Sequence, residues 1–401
     1  MSYSGFKLET RNPRVALTTY SVKPRGGVVH TLELADVLKD AGIDVTVIAM
    51  AEVGSTFFRE VNVPVRLIES PPWQDSLEGR VFSWIDAMTA GLEKMRDDFD
   101  IIHSQDCISA RAAARIRDAG APIKLIRTVH HVDDFKTQAL IDCQRNAITE
   151  PDQVLVVSKW WQRRIQQEYD VTASIVTNGV RSDRFSIPLS SDRRSEIRRR
   201  MGVENCFLYL TVGGIEPRKG SLFLMQALSR LKKQLPDPPI LAIVGGHSFQ
   251  DYNDYRQMVL DSLPELELEL DKDVKLLGTV KENELPEFFA AADGFVFPSL
   301  NEGWGLVILE AASAGLPVVV SDIDVFQEFL THGVDALLTR AGDPDSLAKG
   351  MARLIDEPEM VQQLSAGGFS LAARYPWNAT AAQHISIYKA EGNDPANVSA
   401  H

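Results

Sequence analysis

Short apolar segments alternate with helical stretches along almost the whole chain, and this alternation restricts the possible folds more than any other feature of the sequence. The first segment, residues 15–18, is followed by Gly26-Gly27, by a helical stretch at 28–40 and by the next apolar segment at 45–49. Strands that are separated by helices do not pair as hairpins, so they predict a parallel sheet with helices on both faces. The predicted strands are 15–18, 45–49, 101–103, 125–129, 154–157 and 175–176, and then 207–212, 240–244, 274–277, 294–297 and 317–320.

The alternation is interrupted at residues 186–200, a polar stretch that contains Pro188 and ends in three arginines. A chain of 401 residues is long for one hydrophobic core and sufficient for two. We therefore predict the α/β class, with two doubly wound Rossmann-like domains at 1–190 and 191–374 that face a central cleft. An amphipathic helix is expected within 375–391 and a disordered tail at 392–401. Such sheets bind ligands at the carboxyl ends of their strands, so the segments that follow strands are the candidates for a site.

Composition and charge exclude several functional classes. The net charge of −13 is uneven, since the part up to Ser195 has 25 basic and 26 acidic residues and the remainder has 17 and 29. A nucleic-acid-binding chain would show the opposite sign, so no nucleic-acid partner is expected. No apolar run is long enough to span a bilayer and the N-terminus lacks a signal-peptide core, so we expect a cytoplasmic protein with at most peripheral membrane contact. The scattered Cys107, Cys143 and Cys206 fit a reducing compartment and form no zinc-ligand cluster.

The segment that follows the predicted strand 294–297 is the richest in candidate functional residues, and it reads PSLNEGWGLVILEA in residues 298–311. Its glycines allow a ligand to approach the backbone closely. The helix that begins near Gly305 offers unpaired N–H groups and the positive end of its dipole to an anion such as a diphosphate. Glu302 in the loop and Glu310 in the helix can accept hydrogen bonds from hydroxyl groups.

A second loop with glycines follows the predicted strand 207–212 and reads GGIEPRKG in residues 213–220. Lys219 is a compact cation that can neutralise a leaving diphosphate, and Arg218 stands beside it in the sequence. The two loops together predict a site for a ligand that carries both a diphosphate and hydroxyl groups.

Three segments of the predicted N-terminal domain also follow strands. Residues 23–27 (KPRGG) form the first strand-to-helix turn, but they lack the G-x-G-x-x-G spacing of dinucleotide-binding proteins. Residues 103–106 and 127–134 end two further strands, and the second of them contains His130. A lone histidine is more often structural, whereas its position at a strand end among the other motifs favours a functional role.

These segments together resemble the retaining glycosyltransferases of group 1, the fourth family in the usual numbering, over nearly the whole chain. The Glu-x7-Glu spacing of Glu302 and Glu310 carries the resemblance, and GTV at 278–280 and GLPVV at 315–319 stand in the order of that family. Sucrose synthases and many bacterial mannosyl- and glucosyltransferases belong to it, and the chain resembles an uncharacterised bacterial subgroup with GGIEPRK and TVHH sequences. The resemblance implies the GT-B fold, with acceptor-side and donor domains and a last helix that crosses back onto the first domain.

The resemblance also implies roles for individual residues. Glu302 would contact hydroxyls of the donor sugar, Glu310 would hold the ribose, and Lys219 would bind the diphosphate. The chain departs from the family at Gly214, where an arginine is usual, which leaves open whether Arg218 compensates. The complete sets are His130, Lys219 and Glu302 as catalytic residues; Gly27, Gly213, Arg218, Lys219, Val280, Glu302, Gly303, Gly305, Leu306, Val307 and Glu310 for the donor; and Gly26, His103 and Asp106 on the acceptor side.

The implied reaction is transfer of a hexose, with retention, from a nucleotide-diphospho-sugar to a hydroxyl of a sugar, a glycan or a small molecule. A UDP-sugar is favoured, and GDP-mannose and ADP-glucose are rivals. No cofactor is expected, since the nucleotide-sugar is a substrate. No metal is expected either, because Asp322-Ile323-Asp324 has the spacing of a metal-binding motif of a different glycosyltransferase fold but follows a strand in GT-B order. A nucleotide-sugar epimerase, a phosphorylase and a non-catalytic nucleotide-sugar binder remain as alternatives.

Overall fold

The computed structural model describes residues 12–246 and 252–390, which form two compact units. Unit 1 contains the described residues up to Val157, together with Trp161–Val176 and those from Trp377 onward, and unit 2 contains Ser158–Trp160 and Thr177–Pro376. Among the described residues, no helix has the length and apolar composition needed to cross a membrane.

Both units alternate strands and helices along the chain. The strands are β1 Arg14–Thr19, β2 Asp44–Ala51, β3 Val65–Glu69, β4 Ile101–Ser104, β5 Lys124–Val129, β6 Gln153–Val156, β7 Ser174–Ile175, β8 Leu208–Val212, β9 Ile240–Val244, β10 Val274–Gly278, β11 Gly294–Phe297, β12 Val318–Asp322 and β13 Leu337–Arg340. The helices are α1 Gly26–Asp40, α2 Leu77–Glu93, α3 Cys107–Asp118, α4 Gln138–Thr149, α5 Lys159–Tyr169, α6 Ser182–Phe185, α7 Ser191–Met201, α8 Ser221–Gln234, α9 Asn253–Asp261, α10 Leu285–Ala291, α11 Leu306–Ser313, α12 Asp324–Gln327, α13 Pro344–Asp356, α14 Pro358–Ala373 and α15 Trp377–Lys389. A short 3-10 turn, Pro217–Lys219, precedes α8.

Each unit is a doubly wound parallel sheet. In unit 1 seven strands run in the order β3-β2-β1-β4-β5-β6-β7, and in unit 2 six strands run in the order β10-β9-β8-β11-β12-β13. The strand order reverses between β1 and β4 in the first sheet and between β8 and β11 in the second. Such a reversal opens a crevice at the carboxyl ends of the strands, where these folds bind ligands. The predicted α/β class with two Rossmann-like domains is confirmed.

The central strands are buried on both faces, which explains their continuous apolar sequences. Ala16 and Leu17 of β1 and Phe295 and Val296 of β11 have no solvent exposure. All eleven predicted strands are present, while β3 and β13 were not predicted. Both lie at sheet edges, and the mostly exposed, mixed composition of β3 does not give the apolar run by which a buried strand is recognised.

The chain passes to unit 2 after Val176, earlier than the predicted boundary at residue 190. The physical reason is that α6 packs on α10 and α11 of unit 2. The ring of Phe185 lies 5.5 Å from that of Phe289, and the Ser186 hydroxyl donates to the carbonyl of Ser313 at 2.5 Å.

The predicted C-terminal helix is present as α15 and belongs to unit 1, where it packs against α1. Its Tyr388 hydroxyl is hydrogen bonded to Nδ1 of His103 in β4 at 2.7 Å. The predicted disordered tail at 392–401 lies outside the described residues.

Candidate active site

Two loops at the carboxyl edge of the unit 2 sheet lie against each other. One follows β8 and the other follows β11, and these strands are neighbours in the sheet. The N–H of Leu300 donates to the carbonyl of Arg218 at 2.7 Å. Gly220 has a φ of +66°, and a Cβ at this position would be 2.1 Å from the carbonyl oxygen of Pro298. The close approach of the two loops therefore depends on glycine at position 220.

The loops bring two cations to one carboxylate. Oε1 of Glu302 lies 2.5 Å from Nζ of Lys219 and 3.1 Å from Nη1 of Arg218. The hydroxyl of the buried Ser299 also donates to Oε1, at 3.1 Å. Three residues from the two predicted donor motifs, Arg218, Lys219 and Glu302, thus meet at one point.

The Lys219–Glu302 pair is largely shielded from water, whereas the Arg218 side chain is 36% exposed. Glu302 is 8% exposed, and Nζ of Lys219 lies 4.3 Å from the ring centre of Phe297. Burial lowers the pKa of Lys219, although Glu302 opposes that change. Burial acts to raise the pKa of Glu302, but the charges of Lys219 and Arg218 and the hydrogen bonds outweigh it, and the net change is a decrease. The decrease favours the ionised form of Glu302, and its carboxylate in turn favours the charged form of Lys219 against the effect of burial.

The structure explains why this chain has no arginine at position 214. A Cβ on Gly214 would lie 2.8 Å from the carbonyl oxygen of Gly246 and 3.2 Å from Oε1 of Glu216. The space is filled by backbone and by a carboxylate, so a larger residue requires the loop to move. Arg218 instead reaches Glu302 from the following turn, and its Nε lies 3.1 Å from Oε2 of Glu216.

Glu216 was not among the predicted site residues. It is 8% exposed and belongs to the same cluster. The sequence offered a signal, since an acidic residue stands next to Pro217 and two cations in a loop, but it could not show that the carboxylate turns inward. Gly213, which was predicted, lies beside Lys219: its φ is +144° and its Cβ position is 3.5 Å from Cε of Lys219.

The start of α11 is held by its own glycine and by an aromatic anchor. Gly305 caps the helix with a φ of +98°, and a Cβ there would be 2.9 Å from Cδ1 of Ile308. Trp304 is buried, and its ring stacks on that of Phe329 at 4.7 Å. The remaining predicted donor residues are half-buried: Gly303 in the loop, Leu306, Val307 and Glu310 on α11, and Val280 in the loop after β10.

In unit 1 the structure places His130 beside Gly27. A Cβ on Gly27 would lie 3.7 Å from Cδ2 of His130, and Nε2 of His130 is 3.0 Å from Oε1 of Gln105. Burial lowers the pKa of His130 to about 3, so its imidazole is neutral at neutral pH. Gln105 was not predicted. Gly26 begins α1, and no atom lies within 4 Å of a Cβ placed on it.

The structure shows structural contacts of His103 that its acceptor-side prediction did not include. Its side chain has no solvent exposure, and both ring nitrogens are hydrogen bonded, to Tyr388 and to Thr128, at 2.7 Å each. It therefore links β4, β5 and α15, and its acceptor-side role stays a prediction. Asp106 caps α3, where its carboxylate accepts from the N–H groups of Ser109 and Tyr20 at 2.8 Å. Both residues have structural contacts that the sequence did not reveal.

No group of three or more His, Cys, Asp or Glu side chains within 12–246 and 252–390 is arranged to hold a metal ion. Of the Asp-x-Asp pair, Asp322 ends β12 and accepts from Nε2 of Gln327 at 2.7 Å, and Asp324 begins α12.

Family profiles match both halves of the chain. The profile described as glycosyl transferases group 1 matches residues 193–370, and the one described as glycosyltransferase family 4 matches residues 24–184. The chain belongs to the group 1 glycosyltransferases. The resemblance that was noted from Glu302, Glu310 and Lys219 is thereby confirmed at the level of the family.

Several group 1 glycosyltransferase relatives match this chain over most of its length. A D-inositol 3-phosphate glycosyltransferase of Thermobispora bispora is 27% identical over 90% of this chain and 89% of its own. An uncharacterised glycosyltransferase of the archaeon Methanocaldococcus jannaschii is 26% identical over 94% of this chain and 98% of its own. Relatives thus occur in archaea as well as bacteria.

Two solved structures have the same fold. HepE of Anabaena, in complex with UDP and glucose, superposes with a TM-score of 0.79 at 22% identity and covers 94% of this chain and 99% of its own. The sucrose-phosphate synthase of Thermosynechococcus elongatus gives a TM-score of 0.79 at 20% identity over 94% of this chain and 98% of its own. The GT-B assignment of the fold is confirmed.

Proposed function

We propose that this glycosyltransferase moves a hexose, with retention of configuration and without a metal ion, from a UDP-sugar to a hydroxyl acceptor. The observation that carries the proposal is the meeting of Lys219 and Arg218 at Glu302, whose loop leads to the N-terminus of α11. Two cations and a helix N-terminus suit a diphosphate, and a carboxylate beside them suits sugar hydroxyls.

In the proposed reaction the bond between the sugar C1 and the diphosphate oxygen breaks while a bond forms from C1 to the acceptor oxygen. Lys219, Arg218 and N–H groups at the start of α11 neutralise the departing diphosphate. The acceptor proton passes to the departing phosphate, on the same face of the sugar. His130, which is neutral, acts by hydrogen bonding and carries no charge.

The choice of donor and acceptor rests on likeness to other proteins. HepE was solved with UDP and glucose, which favours UDP over GDP and ADP as the donor nucleotide. Relatives named for D-inositol 3-phosphate and for sucrose phosphate favour a sugar or another small polyol as acceptor, with a glycan as the wider class. The free thiols of Cys107, Cys143 and Cys206 favour a reducing, cytoplasmic location.

The test is thermal stabilisation by UDP, GDP, ADP and their sugars, with EDTA present, followed by product analysis with the donor that binds. A ligand that binds only the folded state raises the melting temperature. We expect UDP and a UDP-sugar to stabilise the wild type, and Lys219→Ala to lose most of the shift. Arg340→Ala is the matched control, because this cation of unit 2 is 82% exposed and lies on β13. Absence of a shift with every nucleotide at millimolar concentration would contradict the proposal.

Product analysis separates the alternative enzymes. An epimerase converts the donor sugar without an acceptor, and a phosphorylase needs phosphate. Binding without turnover, over a broad panel of acceptors, identifies a nucleotide-sugar binder.

A further inference from the structure

The cations of the donor site already have a partner in the ligand-free protein. Oε1 of Glu302 accepts from Lys219, Arg218 and Ser299 at once, so the two cations converge on a single oxygen. A phosphate oxygen makes contacts of the same kind and length with lysine and arginine. A diphosphate that binds these cations must therefore take the position of this carboxylate oxygen or share the cations with it.

Charge balance decides between sharing and replacement. Two cations, Lys219 and Arg218, face two carboxylates, Glu302 and Glu216, and both carboxylates are 8% exposed. A diphosphate adds at least two negative charges to a cluster that is already neutral. Because Glu302 and Lys219 are largely shielded from water, the repulsion between Glu302 and a diphosphate that shares Lys219 with it is costly.

We propose that Glu302 is a built-in counterion of the donor site, and that the donor's diphosphate replaces it on Lys219 and Arg218. The proposal rests on the proposed function, since it takes the ligand to be a nucleoside-diphospho-sugar. When Glu302 leaves the cations, its oxygens become acceptors for the sugar hydroxyls, so recognition of the sugar is linked to binding of the diphosphate. A ligand that carries only the diphosphate or only the sugar makes one of these two sets of contacts and is expected to bind more weakly.

Glu216 has a different part in the exchange. It binds Nε of Arg218 and lies against the Gly214 backbone, whereas Glu302 binds Nη1 of the same guanidinium. Nε of Arg218 therefore keeps its contact with Glu216, while Nη1 exchanges Glu302 for the diphosphate. Glu216 is a positioning residue that stays in place and keeps Arg218 directed into the site.

The experiment measures binding of inorganic pyrophosphate, UDP and UDP-glucose by calorimetry to the wild type and to Glu302→Gln. Removing a competing counterion is expected to tighten pyrophosphate and UDP roughly tenfold, which corresponds to about 1.4 kcal/mol. UDP-glucose is expected to gain less than UDP, because the variant also loses a carboxylate that accepts from the sugar. Affinity for pyrophosphate and UDP that is equal to or weaker than that of the wild type would overturn the proposal.

Glu216→Gln is the matched control, because it removes the same charge from the same cluster but breaks no contact with Lys219. We expect a clearly smaller gain in pyrophosphate affinity than in Glu302→Gln. Equal gains would show an effect of net charge and would overturn the exchange. If Glu302→Gln does not fold, Glu302→Asp, which keeps the charge and draws it back from Lys219, is expected to change affinity in the same direction, and no gain there counts against the exchange.

The two proposals fail in different ways. If the wild type binds no nucleotide while pyrophosphate still binds Glu302→Gln more tightly, the proposed function fails, and the replacement of Glu302 stands for a diphosphate group alone. If nucleotides bind the wild type and Glu302→Gln shows no gain, the exchange fails and the proposed function stands.

Discussion

At the scale of single residues, the geometry of the site depends on a glycine, Gly214, as well as on its charged side chains. Gly214 leaves space that the carbonyl of Gly246 and the carboxylate of Glu216 fill, and the second cation comes from Arg218 instead. The sequence showed the departure at 214 and the neighbouring arginine, but only the distances show that the cation reaches Glu302.

Gly214→Ala tests this packing. Its Cβ would be 2.8 Å from a backbone oxygen that cannot rotate away, so we expect a loss of about 1–3 kcal/mol in the free energy of unfolding, together with weaker UDP binding. Urea denaturation measures the first effect. Gly26→Ala, whose Cβ meets no atom within 4 Å, is the control and should stay within about 0.5 kcal/mol of the wild type. A tolerated Gly214→Ala would show that the loop is not packed as described.

His130 gives a prediction about pH dependence. Burial lowers its pKa to about 3, so the neutral imidazole persists throughout the range from pH 5 to 8. We expect His130→Gln to lower kcat/KM without changing the shape of its pH profile. A limb near pH 6.5 that is present in the wild type and missing from the variant would show that the histidine titrates during catalysis.

At the scale of elements, the sequence was most informative where strands are buried and least informative at sheet edges. The continuous apolar runs predicted eleven strands, whereas the two strands that were missed, β3 and β13, both lie at sheet edges. The motifs indicated which loops matter, because strand ends of a doubly wound sheet converge. They could not indicate side-chain direction, which is why the inward turn of Glu216 and the burial of His103 became visible only in the structure.

The two glycines that flank α11 allow a matched comparison. Gly305 and Gly315 both have positive φ, so alanine at either position strains the backbone and should cost roughly 1–2 kcal/mol. At Gly305 the Cβ also meets Ile308 and the ring of Phe326, close to the Glu302 loop, whereas at Gly315 it meets the half-exposed ring of Phe369. Gly305→Ala should therefore weaken UDP binding, and Gly315→Ala should not. UDP affinity is measured by calorimetry. Equal affinity in both variants would show that the start of α11 does not contribute to the donor site.

At the scale of the whole molecule, the chain returns at its end to the unit in which it began. Helix α15 packs on α1 in unit 1 and brings His384 and Tyr388 to the buried ring of His103. Rings of His30 and Trp377 also belong to this cluster, 5.4 Å apart. The attachment of the C-terminal helix thus depends on buried imidazoles that are neutral.

This arrangement predicts a loss of stability in acid. Burial lowers the pKa of His384 to about 4, below the value of 6.5 expected when it is exposed, and the pKa of His103 is lowered for the same reason. The unfolded chain therefore binds more protons, and the free energy of unfolding decreases as the pH falls below about 6.5, by about 2 kcal/mol at pH 5 for His384 alone.

Thermal unfolding between pH 7 and pH 5 measures this slope. His384→Gln removes the titrating group and should flatten it, even if the variant is less stable at pH 7. His131→Gln is the control, because His131 is exposed and belongs to the same unit, and its slope should equal that of the wild type. A slope unchanged by His384→Gln would place the acid sensitivity elsewhere.

The contact between the two donor loops has a consequence for protein engineering. The hydrogen bond from Leu300 to Arg218 and the close approach of Gly220 to Pro298 make the two loops one packed unit, although they are far apart in the sequence. A chimera that takes only one loop from another glycosyltransferase would have to reproduce this contact with a loop of different sequence. Libraries aimed at a new donor should therefore exchange residues 213–220 and 298–305 as a pair.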